Sequence, residues 1–358
     1  MIERIIIENY KSIRKMDLRL EPINILIGGN GAGKSNFISF FELIKKVQDD
    51  EIEDFTLDMD GAGKLLHGGE KQSEYISGLV DFENANAYKF VLTPTRNYRT
   101  LRIKEVGDYW NEHNSPDKEY EKDWHWKPMN SPFRKQRDQY VIPYLNSFRV
   151  YHFHDTSKTA AIKQIRPLDD NRHLREDAGN LAAFLFLLKE KYPKHFLRIE
   201  MVVRSIAPFF DRFDLKPLER SASGDMIKLE WKEKGSDMYL DAHSLSDGTL
   251  RFMAIAALLM QPEPPKTIII DEPELGLHPF AIHKLAGLLK KVSVHSQVIV
   301  STQSVELVNQ FDPQDIITVD REEGQSIFNR LEGNRLAGWL EEFSLGDIWQ
   351  KNIIGGQP

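Results

Sequence analysis

Short aliphatic runs broken by polar turns open the chain. Arg4 to Asn9, Asp17 to Leu20 and Ile23 to Ile27 are β-branched-rich segments that predict strands. A helix is predicted from Gly33 to about Val47, because Phe37, Phe40, Phe41 and Ile44 recur on one helical face. After an acidic loop, Asp49 to Asp54, the segments Glu74–Phe82, Tyr88–Leu92 and Arg99–Val106 alternate like an antiparallel meander. Arg149 to Phe153 is again strand-like. Helices are expected over Asp177–Lys191 and Lys194–Ile206, the second stopped by Pro208, and strands over Met226–Trp231 and Met238–Asp241. From Ser246 onward the order changes to strict alternation: helix Ser246–Met260, strand Thr267–Ile270, helix Pro279–Val292, strand Gln297–Ser301, helix Ser304–Gln310, strand Ile316–Val319. Apolar strands alternating with helices predict a parallel α/β sheet.

One stretch escapes these periods. Gly107 to Tyr140 mixes seven acids and six bases with Trp110, Trp124 and Trp126, and reads as an insert. Arg134, Lys135 and Arg137 lie nearby, so base stacking and phosphate binding are one reading of it. Its near-zero net charge favours the other reading, a charged insertion whose aromatics pack on its own domain or a partner. No repeat and no sustained heptad pattern occurs.

Composition narrows the chemistry. The 358 residues contain no cysteine, which removes thiolate nucleophiles, disulfides and Cys-ligated zinc and points to the cytoplasm. The chain's start is a charged amphipathic strand pattern, unlike a signal peptide, and no apolar run approaches the roughly 20 residues of a membrane span. A net charge of −7 argues against a surface that coats nucleic acid indiscriminately.

Three motifs carry chemistry. Gly28-Gly29-Asn30-Gly31-Ala32-Gly33-Lys34-Ser35 follows a buried strand and opens a helix. Glycines there let successive N–H groups turn inward around a phosphate, and the helix N-terminus adds partial positive charge. Lys34 is expected on the β- and γ-phosphates and Ser35 on Mg²⁺. Gly61-Ala62-Gly63-Lys64 repeats the letters without a preceding strand and reads as a flexible loop. Second, Thr267–Ile270 ends in Asp271 and Glu272, carboxylates at the C-terminal end of a parallel strand. Asp271 is expected to hold Mg²⁺ through water, and Glu272 to orient and deprotonate an attacking water. Third, Leu245-Ser246-Asp247-Gly248-Thr249 precedes a helix; taken alone, Ser246 is an ordinary N-cap.

Together these motifs resemble those of ABC-type ATPases of the SMC, RecF and OLD kind, with LSDGT standing for the LSGGQ signature. The match is narrower for the small RecF/SMC-related ATPases of bacteria and archaea. Leu275-Gly276-Leu277-His278-Pro279, Tyr151–Thr156, Ser301–Ser304 and the tail Trp349–Gly356 fit that group. The resemblance implies an α/β P-loop NTPase head: an antiparallel β lobe, a helical region and a parallel-sheet core. On that basis residues 1–165 form the N-terminal lobe, with the insert at about 107–140, residues 166–243 a connecting region, and residues 244–358 the C-terminal lobe. It also implies two ATPs with Mg²⁺ sandwiched in a head-to-tail homodimer. Gly28, Asn30, Gly31, Gly33, Lys34, Ser35 and Asn36 of one copy would hold each nucleotide, capped by Ser246 and Gly248 of the other.

Two departures qualify the family pattern. The position of the switch histidine carries Gln303, whose amide can donate to a γ-phosphate but cannot shuttle a proton, so slow turnover is expected. No lobe-connecting glutamine stands out; Gln164 and the His154–Asp155 corner are both candidates. His152 and His154 share one side of their strand, which also admits a metal-dependent nuclease reading. The leading expectation is an ATP-driven switch in DNA maintenance or anti-phage defence, with a separate effector such as a nuclease or toxin and DNA as a further candidate partner. A nucleotide-sensing scaffold with little turnover is the alternative.

Overall fold

The computed structural model describes residues 1–83, 86–110, 125–128, 141–218 and 224–357. Its contacts divide the chain into two compact units that interleave in sequence. The first comprises Met1–Val150, Lys266–Ile269 and Ser296–Pro358; the second comprises Tyr151–Pro265 and Ile270–His295.

In the first unit, Ile2–Tyr10 pairs antiparallel with Ile13–Arg19 on one side and Ile76–Phe82 on the other. Asn86–Pro94, Leu101–Trp110 and His125–Pro128 continue this meander to six strands. Leu101–Trp110 therefore runs past Gly107, where the sequence pattern breaks, and pairs with a short strand that the pattern does not announce. Trp124, Arg134, Lys135 and Arg137 lie outside the described residues, as do the side chains of Trp110 and Trp126.

A second six-stranded sheet, whose residues belong to this unit apart from Tyr151, Ile270 and Asp271, has the order Gln325–Arg330, Ile316–Glu322, Ile23–Ile27, Gln297–Thr302, Thr267–Asp271, Val150–Tyr151. Ile23–Ile27 is parallel to both Gln297–Thr302 and Ile316–Glu322, with Thr302 opposite Ile27. All four residues from Asn24 to Ile27 are buried, as are all six of Gln297–Thr302. Strands covered on both faces read as continuous apolar runs for this reason. Gln325–Arg330 closes one edge antiparallel, an element without a clear sequence signal.

The helix Lys34–Gln48 fills the space between the sheets. The predicted stripe Phe37, Phe40, Phe41 and Ile44 is wholly buried, joined by Ile38, Leu43 and Val47. Phe40 packs edge-on against Tyr10 at 5.2 Å and stacks on Phe90 at 5.7 Å, while Phe41 meets Phe148 at 5.2 Å. Gly78 is required beneath these rings, since a Cβ there would lie 2.6 Å from both Phe40 and Phe90. Each buried Phe contributes about 2–3 kcal/mol. This packing anchors the helix whose N-terminus follows the glycine loop.

Two expected loops are partly helical. Ile52–Asp58 forms a helix through the predicted acidic loop, with Ile52 and Phe55 buried. Ala62–Leu65, read as a flexible loop, is one helical turn whose Ala62 and Leu65 are buried. Apolar positions inside a polar segment decided both.

The second unit is built on a helix pair, Leu181–Lys191 and Pro193–Ile206, and the long buried helix Asp247–Met260. Leu181–Lys191 starts later than Asp177, because Ala178 takes a left-handed φ of 54° that no helix accommodates. Phe210–Phe213, Glu230–Glu233 and Tyr239–Asp241 form a small antiparallel sheet, and Met226–Ile227 pairs separately with Arg166–Pro167. The strand expected over Met226–Trp231 is thus two short ones serving different sheets. The helix Pro279–Val292 begins at the predicted residue, with Pro at its first position.

Candidate functional site

The glycine loop follows Ile27 directly and ends at Gly33, the N-cap of Lys34–Gln48. Gly31 and Gly33 have φ of 78° and 121°, values that exclude most side chains. The loop is held from several sides within the first unit. A Cβ on Gly28 would overlap the carbonyl oxygen of Val319, and one on Gly29 would lie 2.7 Å from the carbonyl oxygen of Gln357. Arg321 Nη1 donates to Gly31 O at 3.2 Å. Ser326 Oγ donates to Ala32 O at 2.5 Å and shares a 2.6 Å hydrogen bond with Ser12 Oγ. Ser12 Oγ in turn accepts from Asn36 Nδ2 at 2.6 Å.

Lys34 is buried, and its ammonium group donates to the carbonyl oxygens of Gly28 and Gly29, the latter at 3.1 Å. Asn30, Gly31 and Ser35 are exposed. The first-turn N–H groups of a helix have no intrahelical acceptor, so this N-terminus presents donors and partial positive charge beside a buried ammonium. Such a cradle suits a phosphate chain. Gln303 follows Thr302 just as Gly28 follows Ile27 in the paired strands. Ser304 then caps Val305–Val308, a single turn where a longer helix was expected.

The acidic motif and the signature belong to the second unit. Asp271 is the last residue of its strand, and Glu272 has φ of 41°. A non-glycine residue held there carries strain, which concentrates at functional positions. His154 Nε2 lies 2.8 Å from the main-chain oxygen of Asp271. His152 Nδ1 is 3.7 Å from Asp271 Oδ2, beyond hydrogen-bond length, and the two imidazoles meet edge-on at 5.9 Å. Gln164 is exposed and donates to Lys158 O at 3.3 Å. Of the two candidates for the lobe-connecting residue, His154 is thus the one that touches the acidic motif. Among the described residues no group of three or more His, Cys, Asp or Glu side chains stands where it could hold a metal ion.

Ser246 is the N-cap of Asp247–Met260, its Oγ accepting from Thr249 N at 3.2 Å. Ser246 and Asp247 are exposed while Gly248 is buried. Gly248 has no room for a side chain, because the carbonyl oxygen of Gly276 occupies the Cβ position. His278 caps Pro279–Val292, accepting from Phe280 N at 3.3 Å.

Sequence reasoning passed over Arg251. This buried guanidinium donates to Phe153 O at 2.8 Å, His154 O at 3.1 Å and Leu275 O. Burial lowers its pKa, opposed by the charges of Asp247 and Glu274. An arginine inside the apolar run of a helix was the available signal. Ser12, Ser326 and Asp320 were missed as well; single polar residues far apart in the chain carry no local signature.

A family model described as "AAA domain, putative AbiEii toxin, Type IV TA system" matches residues 23–309. The chain belongs to this family. Membership makes it a P-loop ATPase of the AAA/ABC type. Similar solved structures include an Smc head bound to the C-winged helix domain of ScpA, 16% identical, covering 94% of this chain and 99% of that chain at a TM-score of 0.63. The Smc head with an extended coiled coil bound to the C-terminal domain of ScpA, derived from Pyrococcus furiosus, is 16% identical, with coverages of 95% and 98% and a TM-score of 0.54. The SMC head domain from Thermotoga maritima is 15% identical, with coverages of 92% and 99% and a TM-score of 0.51. These likenesses establish the SMC-head type of P-loop fold for this AAA-family member. Among curated proteins, ATP-binding cassette sub-family A member 10 of Homo sapiens is 25% identical over 150 residues. That match covers 42% of this chain and 9% of the human protein's length. No helix among the described residues is long and apolar enough to cross a membrane.

Proposed function

We propose that the chain binds ATP with Mg²⁺ and hydrolyses it slowly, as a homodimer that closes around two nucleotides. The observation that carries this reading is the buried Lys34, parked on Gly28 and Gly29 at the head of an exposed helix N-terminus. Lys34 leaves those carbonyls for the β- and γ-phosphates when nucleotide arrives. Gly28, Asn30, Gly31, Gly33 and Asn36 form the phosphate cradle, and Ser35 supplies a hydroxyl to Mg²⁺. Asp271 is the carboxylate that would hold Mg²⁺ through water, and Glu272 would take the proton from the attacking water. Gln303 donates to the γ-phosphate without charge, which makes turnover slow.

Ser246 and Gly248 of the second copy cap the γ-phosphate. The exposed Ser246, the N-cap of a helix whose first-turn N–H groups carry partial positive charge, supports this role. Closure on ATP and opening on hydrolysis then act on a separate effector, a nuclease or toxin, in DNA maintenance or anti-phage defence. Two of the Smc heads similar in fold are bound to domains of a separate chain, ScpA. With a net charge of −7, contact with DNA runs through a local patch or the partner.

The deciding experiment measures phosphate release and oligomeric state for the wild type and Glu272→Gln. ATP-dependent dimers that persist in the variant while hydrolysis is lost are the expected result. A monomer in saturating ATP, wild type and variant alike, would overturn the dimer. The unchanged binding of nucleotide with no hydrolysis even in the wild type would favour a nucleotide-sensing scaffold.

A further inference from the structure

We infer that the segment Gly355-Gly356-Gln357 is a working part of the phosphate site, positioning Gly28 and Gly29 so that the loop keeps its shape when Lys34 lets go of it. This inference rests on the nucleotide site proposed above. It concerns a stretch of chain more than 300 residues away in sequence from the loop it touches.

The geometry is specific. Gly356 sits against the strand that feeds the loop: a Cβ there would lie 3.2 Å from Ile27 O, 3.2 Å from Thr318 Cβ and 3.6 Å from Gly28 Cα. The next residue, Gln357, turns its carbonyl oxygen onto Gly29. Gly355 and Gly356 both take positive φ, 77° and 62°, so the bend that makes this approach needs two glycines in succession.

Two side chains hold the bend down. Trp349, fully buried, donates its indole N–H to Gly356 O. Asp320 Oδ1 accepts from Gly356 N at 2.7 Å. Both partners of that peptide segment are therefore anchored. Asp320 lies on the strand Ile316–Glu322, whose Val319 abuts Gly28 and whose Arg321 binds Gly31 O. One strand thus fastens the glycine loop directly and through the tail.

The consequence concerns Lys34. Its ammonium bonds the carbonyls of Gly28 and Gly29, the two residues that the tail covers. Nucleotide binding draws the ammonium away and removes those bonds. A loop without other support would then have to be ordered by the nucleotide, and its conformational entropy would count against affinity. The tail keeps these residues ordered before and after the exchange, so the cost does not arise at binding. Trp349, Asp320 and the residues of the bend are positioning residues in this sense; none has to touch ATP.

The test measures the affinity of a fluorescent ATP analogue with Mg²⁺ for the full chain and four variants, alongside thermal unfolding without nucleotide. Gly356→Val and Asp320→Ala should each weaken binding about tenfold; Gly356→Val, strained at its positive φ, also lowers the thermal midpoint, whereas Asp320→Ala moves it little. Asp320→Asn keeps an oxygen that accepts the Gly356 N–H and should stay within about twofold of wild type. Wild-type affinity in both Gly356→Val and Asp320→Ala would overturn the inference, and so would an Asp320→Asn protein as weak as Asp320→Ala. Lys34→Ala separates the two levels: if it binds the analogue like wild type, the nucleotide site itself is misassigned. Should the tail variants fail to fold, hydrogen exchange of the wild type decides. Amides of Gly28–Ala32 that exchange slowly without nucleotide support the role of the tail; fast exchange there, slowed only by ATP, refutes it.

Discussion

The Nε2 of His154 stands 2.8 Å from the main-chain oxygen of Asp271. A carbonyl oxygen only accepts, so Nε2 carries a hydrogen and the tautomer of the ring is set by this contact. The bond fixes the peptide between Asp271 and Glu272, immediately before the left-handed φ of 41° that aims the glutamate. His154→Ala is therefore expected to lower kcat about ten- to hundredfold with a much smaller change in nucleotide affinity. His154→Gln, which restores an N–H donor, should recover part of it. Steady-state phosphate release beside equilibrium nucleotide binding distinguishes this from a general loss of structure.

Glu272 combines a left-handed backbone with the general-base role proposed for it. Replacing it by glycine relieves a backbone conformation that costs a non-glycine residue about 1–3 kcal/mol, offset in part by the greater unfolded-chain entropy of glycine. Glu272→Gly should match or exceed the wild type in denaturant midpoint while losing hydrolysis. Glu272→Gln should lose hydrolysis without the gain in stability, so urea unfolding of the pair separates shape from chemistry.

Removing the Lys34 ammonium should leave the fold intact and abolish tight binding. A charge-assisted contact to phosphate is worth about ten- to hundredfold in affinity, and calorimetric titration of Lys34→Ala with ATP and Mg²⁺ reads it. Lys34→Arg should not rescue, because a larger planar guanidinium replaces a compact ammonium at a buried position.

Arg251 ties three main-chain carbonyls together from within a buried helix. Arg251→Ala strands those oxygens and is expected to cost about 2–4 kcal/mol, measured by chemical denaturation. Arg251→Lys should cost nearly as much, since one ammonium cannot reach Phe153, His154 and Leu275 at once.

A pH dependence follows from Glu200. Burial raises its pKa, against the Phe213 N–H at 2.9 Å and the Arg204 charge, which lower it. An acid whose folded pKa is raised holds its proton more tightly in the folded chain than in the unfolded one. Its contribution to stability is present at low pH and is lost as pH rises through the folded pKa. Thermal unfolding followed from about pH 4 to about pH 8 should show the wild type losing stability relative to Glu200→Gln as pH increases. A difference between the two proteins that stays constant with pH would contradict this.

The sequence by itself determined the parts whose cause is local. Glycines at fixed spacing after a buried strand favour a tight loop into a helix, so the glycine loop between Ile27 and Lys34 was legible in the sequence. The four-residue stripe Phe37, Phe40, Phe41 and Ile44 announced its helix because its period matches 3.6 residues per turn. Alternation after Ser246 disclosed the parallel sheet. The tertiary structure alone decided whatever depends on residues meeting across distance. Gly356 beside Gly28, Ser326 beside Ser12, and Arg251 reaching Phe153 and Leu275 leave no trace in spacing, because a hydrogen bond between remote residues imposes no period. The same reason explains the strand Gln325–Arg330, whose place is set by pairing with Ile316–Glu322 and not by its own pattern. Glu272 shows both levels at once. Its type and place after an aliphatic strand were readable, while its strained backbone and the His154 that steadies it emerged only once the chain was folded.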